Sequence, residues 1–265
     1  MTVLCINAPF QTKYFIETNC EKIILLLRLK YGKYAFGNEY KSDNTILVKE
    51  EKNIFTIRYK TIDIKTQYPL QEIDRIIFEN TVYDELIFAM HGAAVEWGGK
   101  AYLFLAATTG GKTTLASYLT SIGFGYITDD CVLVDRKSFQ VYPYCSPIHL
   151  RDGGLEVLKK CNVKIPNLQH LDDPAISRYV YTPNNCIKKS IPLSKIFFMS
   201  RTDNENRLVK LNSTEKITRL MKAPITDYKV NVEYIRFISQ LALNDCYELY
   251  YNNMEYAAQV IYNGQ

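Results

Sequence analysis

Alternating apolar and polar positions mark the first part of the chain. In "NTILVKEEKNIFTIRYKTIDIKTQ", Thr45-Ile46-Leu47-Val48 leads into a polar Lys49-Glu50-Glu51-Lys52-Asn53 turn, and Ile54, Thr56 and Arg58 then alternate with Phe55, Ile57 and Tyr59. A period of two in β-branched and aromatic residues predicts strands, so residues 1–82 read as a β-rich region. "EKIILLLRLKYG" fits a short helix ending at Gly32 or a strand, and its periodicity does not decide between them.

From Tyr83 the pattern changes. "YDELIFAM" reads as a helix or strand, and Gly98-Gly99 between two apolar runs predicts a hairpin leading into a buried strand, Ala101 to Ala106. Leu115, Leu119 and Ile122 then recur at helical spacing, with Gly123 where a helix would stop. "YITDDCVLVD" gives strand, acidic pair, strand, and a further strand is expected from Val141 to Ile148. The segment beyond Pro143 reads as loop-rich, with Asp172-Asp173-Pro174 and Pro183-Asn184-Asn185 as breakers. "LSKIFFMSR" predicts a buried strand. Ser213 is expected to cap "TEKITRLMK", a longer helix to follow Asp227, "CYELYY" to form a last strand, and Met254 to Ile261 a closing helix.

Composition narrows the class without naming a function. With 47% apolar and 23% charged residues over 265 positions, the chain has the balance of an ordinary globular protein. A net charge of +4 suits a phosphate-bearing ligand and is too small and dispersed for a nucleic-acid surface. Cysteines 5, 20, 131, 145, 161, 186 and 246 form no C-x-x-C pair, so reduced thiols in a cytoplasmic protein are expected. "MTVLCINAPFQTKYF" has neither the basic start nor the long apolar run of a secretory leader, and no stretch has the length of a membrane span.

The candidate chemistry centres on "LFLAATTGGKTTLASYL". A phosphate loop needs inward-facing backbone N–H groups, a lysine charge, and a hydroxyl at the helix start for Mg²⁺. Gly110 and Gly111 would give the turn, Lys112 the charge and Thr113 the hydroxyl, with Ala106, Ala107, Thr108, Thr109 and Thr114 completing the nucleotide-binding stretch. Ala106 holds the position of the usual first glycine, which it can fill as long as φ there is negative. A surface turn between strand and helix is the plainer reading of Gly-Gly-Lys alone.

Asp129-Asp130 falls seventeen residues after Lys112, at the end of the next predicted strand. In an α/β layer such strand ends meet at the ligand crevice, where two carboxylates can divide metal binding and proton acceptance. An Asp-Asp pair is equally at home in an exposed turn. His91, fifteen residues before Ala106, is by itself better read as structural.

Together, His91-Gly92, the loop at 106–113 and Asp129-Asp130 resemble the catalytic domain of the HPr kinase/phosphorylase family. The likeness is greatest to its short relatives that act as peptide serine kinases in lasso-peptide-type tailoring, and it runs from about Tyr83 to the C-terminus. The resemblance implies an α/β fold with a P-loop kinase core of the HPr kinase/phosphoenolpyruvate-carboxykinase type at 83–265, with a helical C-terminal part. It also implies transfer of the γ-phosphate of ATP to a serine hydroxyl. Carried over, Lys112 meets the β- and γ-phosphates, Thr113 binds Mg²⁺, Asp129 is the general base with His91 beside it, and Asp130 is a second acidic group near metal or substrate. His149 stands where the family has a metal-binding glutamate, two residues before Arg151.

Arg151 is the cation expected to hold the acceptor, with "RDGG" as a mobile loop, and Lys188, Lys189 and Arg201 are weaker candidates. The expected partner is a peptide or small protein, with no nucleic acid and no membrane, and self-association is left open. A small-molecule kinase and an inert nucleotide-binding switch remain as alternatives.

Overall fold

A computed structural model describes residues 1–9, 12–37, 43–82, 87–173, 176–225 and 230–263. Tyr83, Pro174 and Asp227, which the sequence reading uses as landmarks, lie outside the described residues. The chain is a mixed α/β protein with several sheets. It divides into two compact units: Met1–Asp84 with Asn167–Thr182, and Glu85–Pro166 with Pro183–Gln265.

The first unit holds β1 (Thr2–Asn7), β2 (Lys13–Thr18), α1 (Glu21–Tyr31), β3 (Ala35–Gly37), β4 (Thr45–Glu51), β5 (Ile54–Tyr59), β6 (Ile62–Thr66) and α2 (Pro69–Val82). Its strands form one sheet in the order β3-β1-β2-β4-β5-β6. The ambiguous "EKIILLLRLKYG" is a helix: Ile23, Ile24, Leu26, Leu27 and Tyr31 bury one side of α1, and Gly32 stops it at φ 53°. That leaves the region less purely β than its alternation suggested. The turn between β4 and β5 tightens to Lys52 and Asn53, both with positive φ, as a two-residue hairpin turn requires.

The second unit opens with β7 (Ile87–Trp97) and β8 (Lys100–Leu105), joined by Gly98 and Gly99 at positive φ. Then follow α3 (Lys112–Ser121), β9 (Gly125–Thr128), β10 (Cys131–Asp135), β11 (Gln140–Tyr142), β12 (Ile148–Leu150) and α4 (Asp152–Lys160). The stretch beyond Pro143 is therefore less loop-like than expected, and the strand foreseen from Val141 to Ile148 is two short strands. In α3 only Leu115 and Leu119 of the expected apolar face are buried. Ile122 is the C-cap residue and is exposed.

The chain next forms a hairpin of β13 (Gln169–Asp173) and β14 (Ile176–Tyr181), whose Leu171 and Val180 belong to the core of the first unit. It returns through β15 (Ile191–Arg201), β16 (Arg207–Lys210), α5 (Ser213–Leu220), α6 (Val232–Leu241), β17 (Asp245–Tyr251) and α7 (Met254–Asn263). The cap of α5 is Asn212, in a reciprocal capping box with Glu215, so Ser213 is the first helical residue and not the cap.

The main sheet of this unit runs β11-β10-β7-β8-β15-β17-β16, with β9 beside β7. β8, β15 and β17 are mutually parallel, and their carboxyl ends lie at one edge. On one face Phe104, Phe197 and Tyr247 stack in a row at 5.7 Å spacings. On the other, Leu103, Ile196 and Cys246 join Leu220, Phe237, Ile238 and Leu241 of α5 and α6 in a buried core. No helix among the described residues is long and apolar enough to cross a membrane.

Candidate active site

β7 places the site. Its first half pairs with β10, His91 opposite Cys131, and its second half pairs with β8, Gly92 opposite Leu105. β9 joins its other edge with Ala94 opposite Thr128. The ends of β8 and β9 thus emerge on either side of His91, which brings the glycine-rich loop after β8 next to Asp129 and Asp130 after β9. Gly92 is required at this junction, because a Cβ there would sit 2.7 Å from Leu105 Cδ2 and 2.9 Å from the Phe104 carbonyl oxygen.

Ala106 keeps φ negative, so its methyl meets no backbone penalty. Space for that methyl comes from Gly110, where an added Cβ would lie 2.6 Å from Ala106 Cβ. Thr109 takes φ 68° and Gly111 φ 85°, a turn that swings the chain into α3. A β-branched residue in that region is strained. The Thr109 hydroxyl donates to the Thr108 carbonyl at 2.5 Å. Gly111 caps α3 without a side-chain acceptor, so the first N–H groups of the helix face the loop.

Lys112 is nearly buried, and its ammonium donates to the carbonyls of Ala106 at 2.8 Å and Ala107 at 3.2 Å. Burial lowers its pKa, and Asp130 works in the opposite direction.

Asp129 is 5% exposed. Tyr126 Oη lies 3.1 Å from its Oδ1, and the Thr113 hydroxyl and the His149 backbone N–H also donate to it. Burial first, then the neighbouring Asp130, raises its pKa to about 7, against the pull of those hydrogen bonds. Asp130 is largely solvent-exposed, with Oδ1 3.4 Å from His91 Nδ1. Burial and the charge of Lys112 lower the His91 pKa, favouring neutral imidazole, while Asp130 opposes them.

His91, Lys112, Thr113, Asp129 and Asp130 therefore form one cluster. Thr114 offers only its backbone N–H, because its hydroxyl faces Gly154 in α4. Arg151 is exposed as the residue capping α4, and the two glycines expected to form a mobile loop lie within that helix. Gly154 suits this helix because an added Cβ would come within 2.8 Å of Thr114 Oγ1. Sequence reasoning missed Tyr126 and Tyr251. The Tyr251 hydroxyl reaches the Gly110 carbonyl at 3.4 Å, a contact across 141 residues for which no local pattern exists.

Among the described residues no group of three His, Cys, Asp or Glu side chains is arranged to hold a metal. Of the two residues expected to hold Mg²⁺, Thr113 has its hydroxyl on Asp129 and Asp130 is exposed beside His91, a donor set that would suit a Mg²⁺ ion completed by non-protein oxygens and not a metal caged by protein.

No protein-family model and no curated protein matches the chain. Among solved structures it is similar to the Hpr(Ser) kinase/phosphatase from Coxiella burnetii, at 10% identity and a TM-score of 0.34, over 66% of this chain and 95% of that one. Likeness at that level fixes neither fold nor activity here.

Two outcomes follow from the geometry. Gly110→Ala should destabilise the protein by about 1–3 kcal/mol through overpacking against Ala106, and adding Ala106→Gly should recover part of the loss. Additive effects in thermal unfolding of the single and double variants would refute that contact. The second concerns Asp129, whose folded-state pKa lies above its unfolded value. The stability contributed by its bound proton is complete below about pH 4 and is lost as pH rises to about 7. Asp129→Asn in nucleotide-free buffer should therefore gain Tm relative to the parent across that window, by about several degrees at pH 8. A difference that does not change with pH would show that the carboxyl is not held in its neutral form.

Proposed function

We propose that the chain is an ATP- and Mg²⁺-dependent kinase that transfers the γ-phosphate to a serine hydroxyl of a peptide or small protein, on a P-loop core of the HPr kinase type. The observation that carries this reading is the buried Asp129, hydrogen-bonded to Thr113 in the first turn of the helix that the glycine-rich loop opens, with Asp130 and His91 beside it. Binding a nucleotide needs no such group. A buried carboxylate is retained at a cost in stability, which a proton-accepting role accounts for.

The backbone N–H groups of the loop and of the first turn of α3 would surround the phosphates. Lys112 would turn from the Ala106 and Ala107 carbonyls to the β- and γ-oxygens, exchanging two neutral acceptors for charged ones. Thr113 and Asp130 would hold Mg²⁺, which neutralises charge on the transferred group when bound. Asp129 takes the proton of the attacking serine hydroxyl. A serine O–P bond forms as the β–γ bridging P–O bond breaks, and ADP leaves with that bridging oxygen. Neutral His91 beside Asp130 would keep that carboxylate oriented. Arg151 would meet the acceptor, and its peptide nature rests on the sequence resemblance.

The test is mass spectrometry of candidate peptides incubated with ATP and Mg²⁺, alongside nucleotide titrations. The parent should add one phosphoryl group to serine. Lys112→Ala should lose about 2–3 kcal/mol of nucleotide binding or turnover. Asp129→Asn should hold nucleotide affinity within about a few-fold while losing roughly 10²–10⁴ in rate. Arg151→Ala should raise the peptide KM and leave ATP affinity unchanged. Tight ATP binding without transfer to any acceptor would refute the kinase reading, and loss of nucleotide binding in Asp129→Asn would remove its role as base.

A further inference from the structure

In the sheet order, β8 lies between two sets of neighbours. β7, with β9 and β10 beyond it, is on one side, and β15 followed by β17 is on the other. The loop at 106–111 rises from the end of β8, with His91, Asp129 and Asp130 on the β7 side. On the β15 side stand Arg201, the last residue of β15, and Tyr251, the last residue of β17, opposite each other in parallel register. Side chains alternate along a strand, so both share the face that carries Phe197 and Tyr247.

The two strand ends are tied together. The Thr202 N–H donates to the Tyr251 carbonyl at 3.0 Å. Asn206 and Asn252 bond reciprocally, Asn206 Nδ2 to Asn252 Oδ1 and the Asn252 N–H to Asn206 Oδ1, each at 2.9 Å. Arg201 therefore stands exposed on a braced platform beside the loop. Its charge is felt at Tyr251, where it opposes the burial that raises the phenol pKa to about 12.

Tyr251 itself acts on the loop. Its hydroxyl donates to the Gly110 carbonyl at 3.4 Å, and a Cβ on Gly111 would lie 2.5 Å from the Tyr251 hydroxyl oxygen. In a trans peptide the C=O and the following N–H point in opposite directions. Holding the Gly110 carbonyl against β17 thus turns the Gly111 N–H away from β17 and toward the loop interior.

A phosphate chain laid across this loop would have one end on each side of β8. Its terminal phosphate would lie on the β7 side, beside the proposed proton acceptor Asp129. We infer that Arg201 holds the nucleoside end of the phosphate chain, at the α-phosphate, and that Tyr251 is a positioning residue aiming the Gly111 N–H at the same anion. This rests on the kinase reading above and reassigns Arg201 from the acceptor to the nucleotide. Guanidinium suits the task, since its planar fork can engage two oxygens of one phosphate.

The test is calorimetric titration of ADP and of β,γ-imido-ATP into the parent, Arg201→Ala, Arg201→Lys and Tyr251→Phe. Apo Tm values confirm that each variant folds. Arg201→Ala should weaken both nucleotides by the same factor, about 10-fold for a lost charge-assisted contact. Arg201→Lys should recover part of that loss, and Tyr251→Phe should weaken both nucleotides by about a few-fold. The peptide KM should not move in any of them.

Affinities within about twofold of the parent in Arg201→Ala would overturn the inference. So would a loss confined to the triphosphate analogue, which would put Arg201 at the terminal phosphate. A parent that binds neither nucleotide would overturn the kinase reading and this inference with it. A parent that binds both, with an indifferent Arg201→Ala variant, would sink the inference alone.

Discussion

The candidate site depends on β7 changing partners on both edges within a few residues. β10 gives way to β9 on one edge, while on the other the Ala223 carbonyl that accepts from the His91 N–H gives way to β8. Two strands running the same way thereby end on opposite sides of one backbone position, and whatever follows them converges. The convergence needs close approach, which is why the junction residue is Gly92, with Leu105 and Phe104 filling the space of a side chain. A wider spacing would leave the loop and the acidic pair as separate surface features.

That arrangement explains the chemical state of Asp129. The carboxyl is packed under the loop and given three hydrogen-bonding partners, yet it remains poorly placed to carry charge because water is excluded and Asp130 follows it directly. The adjacent carboxylates thus take different characters from their surroundings, one buried and holding its proton to about pH 7, the other exposed beside His91. Environment, not residue type, separates them.

The parts of this site that were legible in the sequence are those whose signal is local. A buried strand, a glycine turn with lysine, and an acidic pair at the next strand end each occupy a short window, and their order places them at one edge of a layer. The rest depends on distant packing. Tyr251 touches the loop from the far end of the chain, and Tyr126 looks like any other strand tyrosine until its hydroxyl is found at Asp129. Gly153 and Gly154 read as a loop because glycine weakens helices, whereas closeness to Thr114 is what Gly154 serves. In the first unit, alternation revealed β4 and β5, but the uninterrupted apolar run of α1 could not show which period applied until its buried side was known.

The hairpin β13–β14 has a consequence for how the protein comes into being. Leu171 and Val180 are almost wholly withdrawn from solvent in the first unit's core, yet they are encoded after most of the opening strands and helices of the second. As the chain leaves the ribosome, the contiguous segment of the first unit emerges without Leu171 and Val180, the two residues of its core that the later hairpin supplies. The surface that the hairpin covers on α1 stays open while about eighty further residues are made, at roughly 5–20 residues per second. The last pieces of this core are thus made well after its first, and for those seconds the side of α1 that the hairpin covers is open to other apolar surfaces.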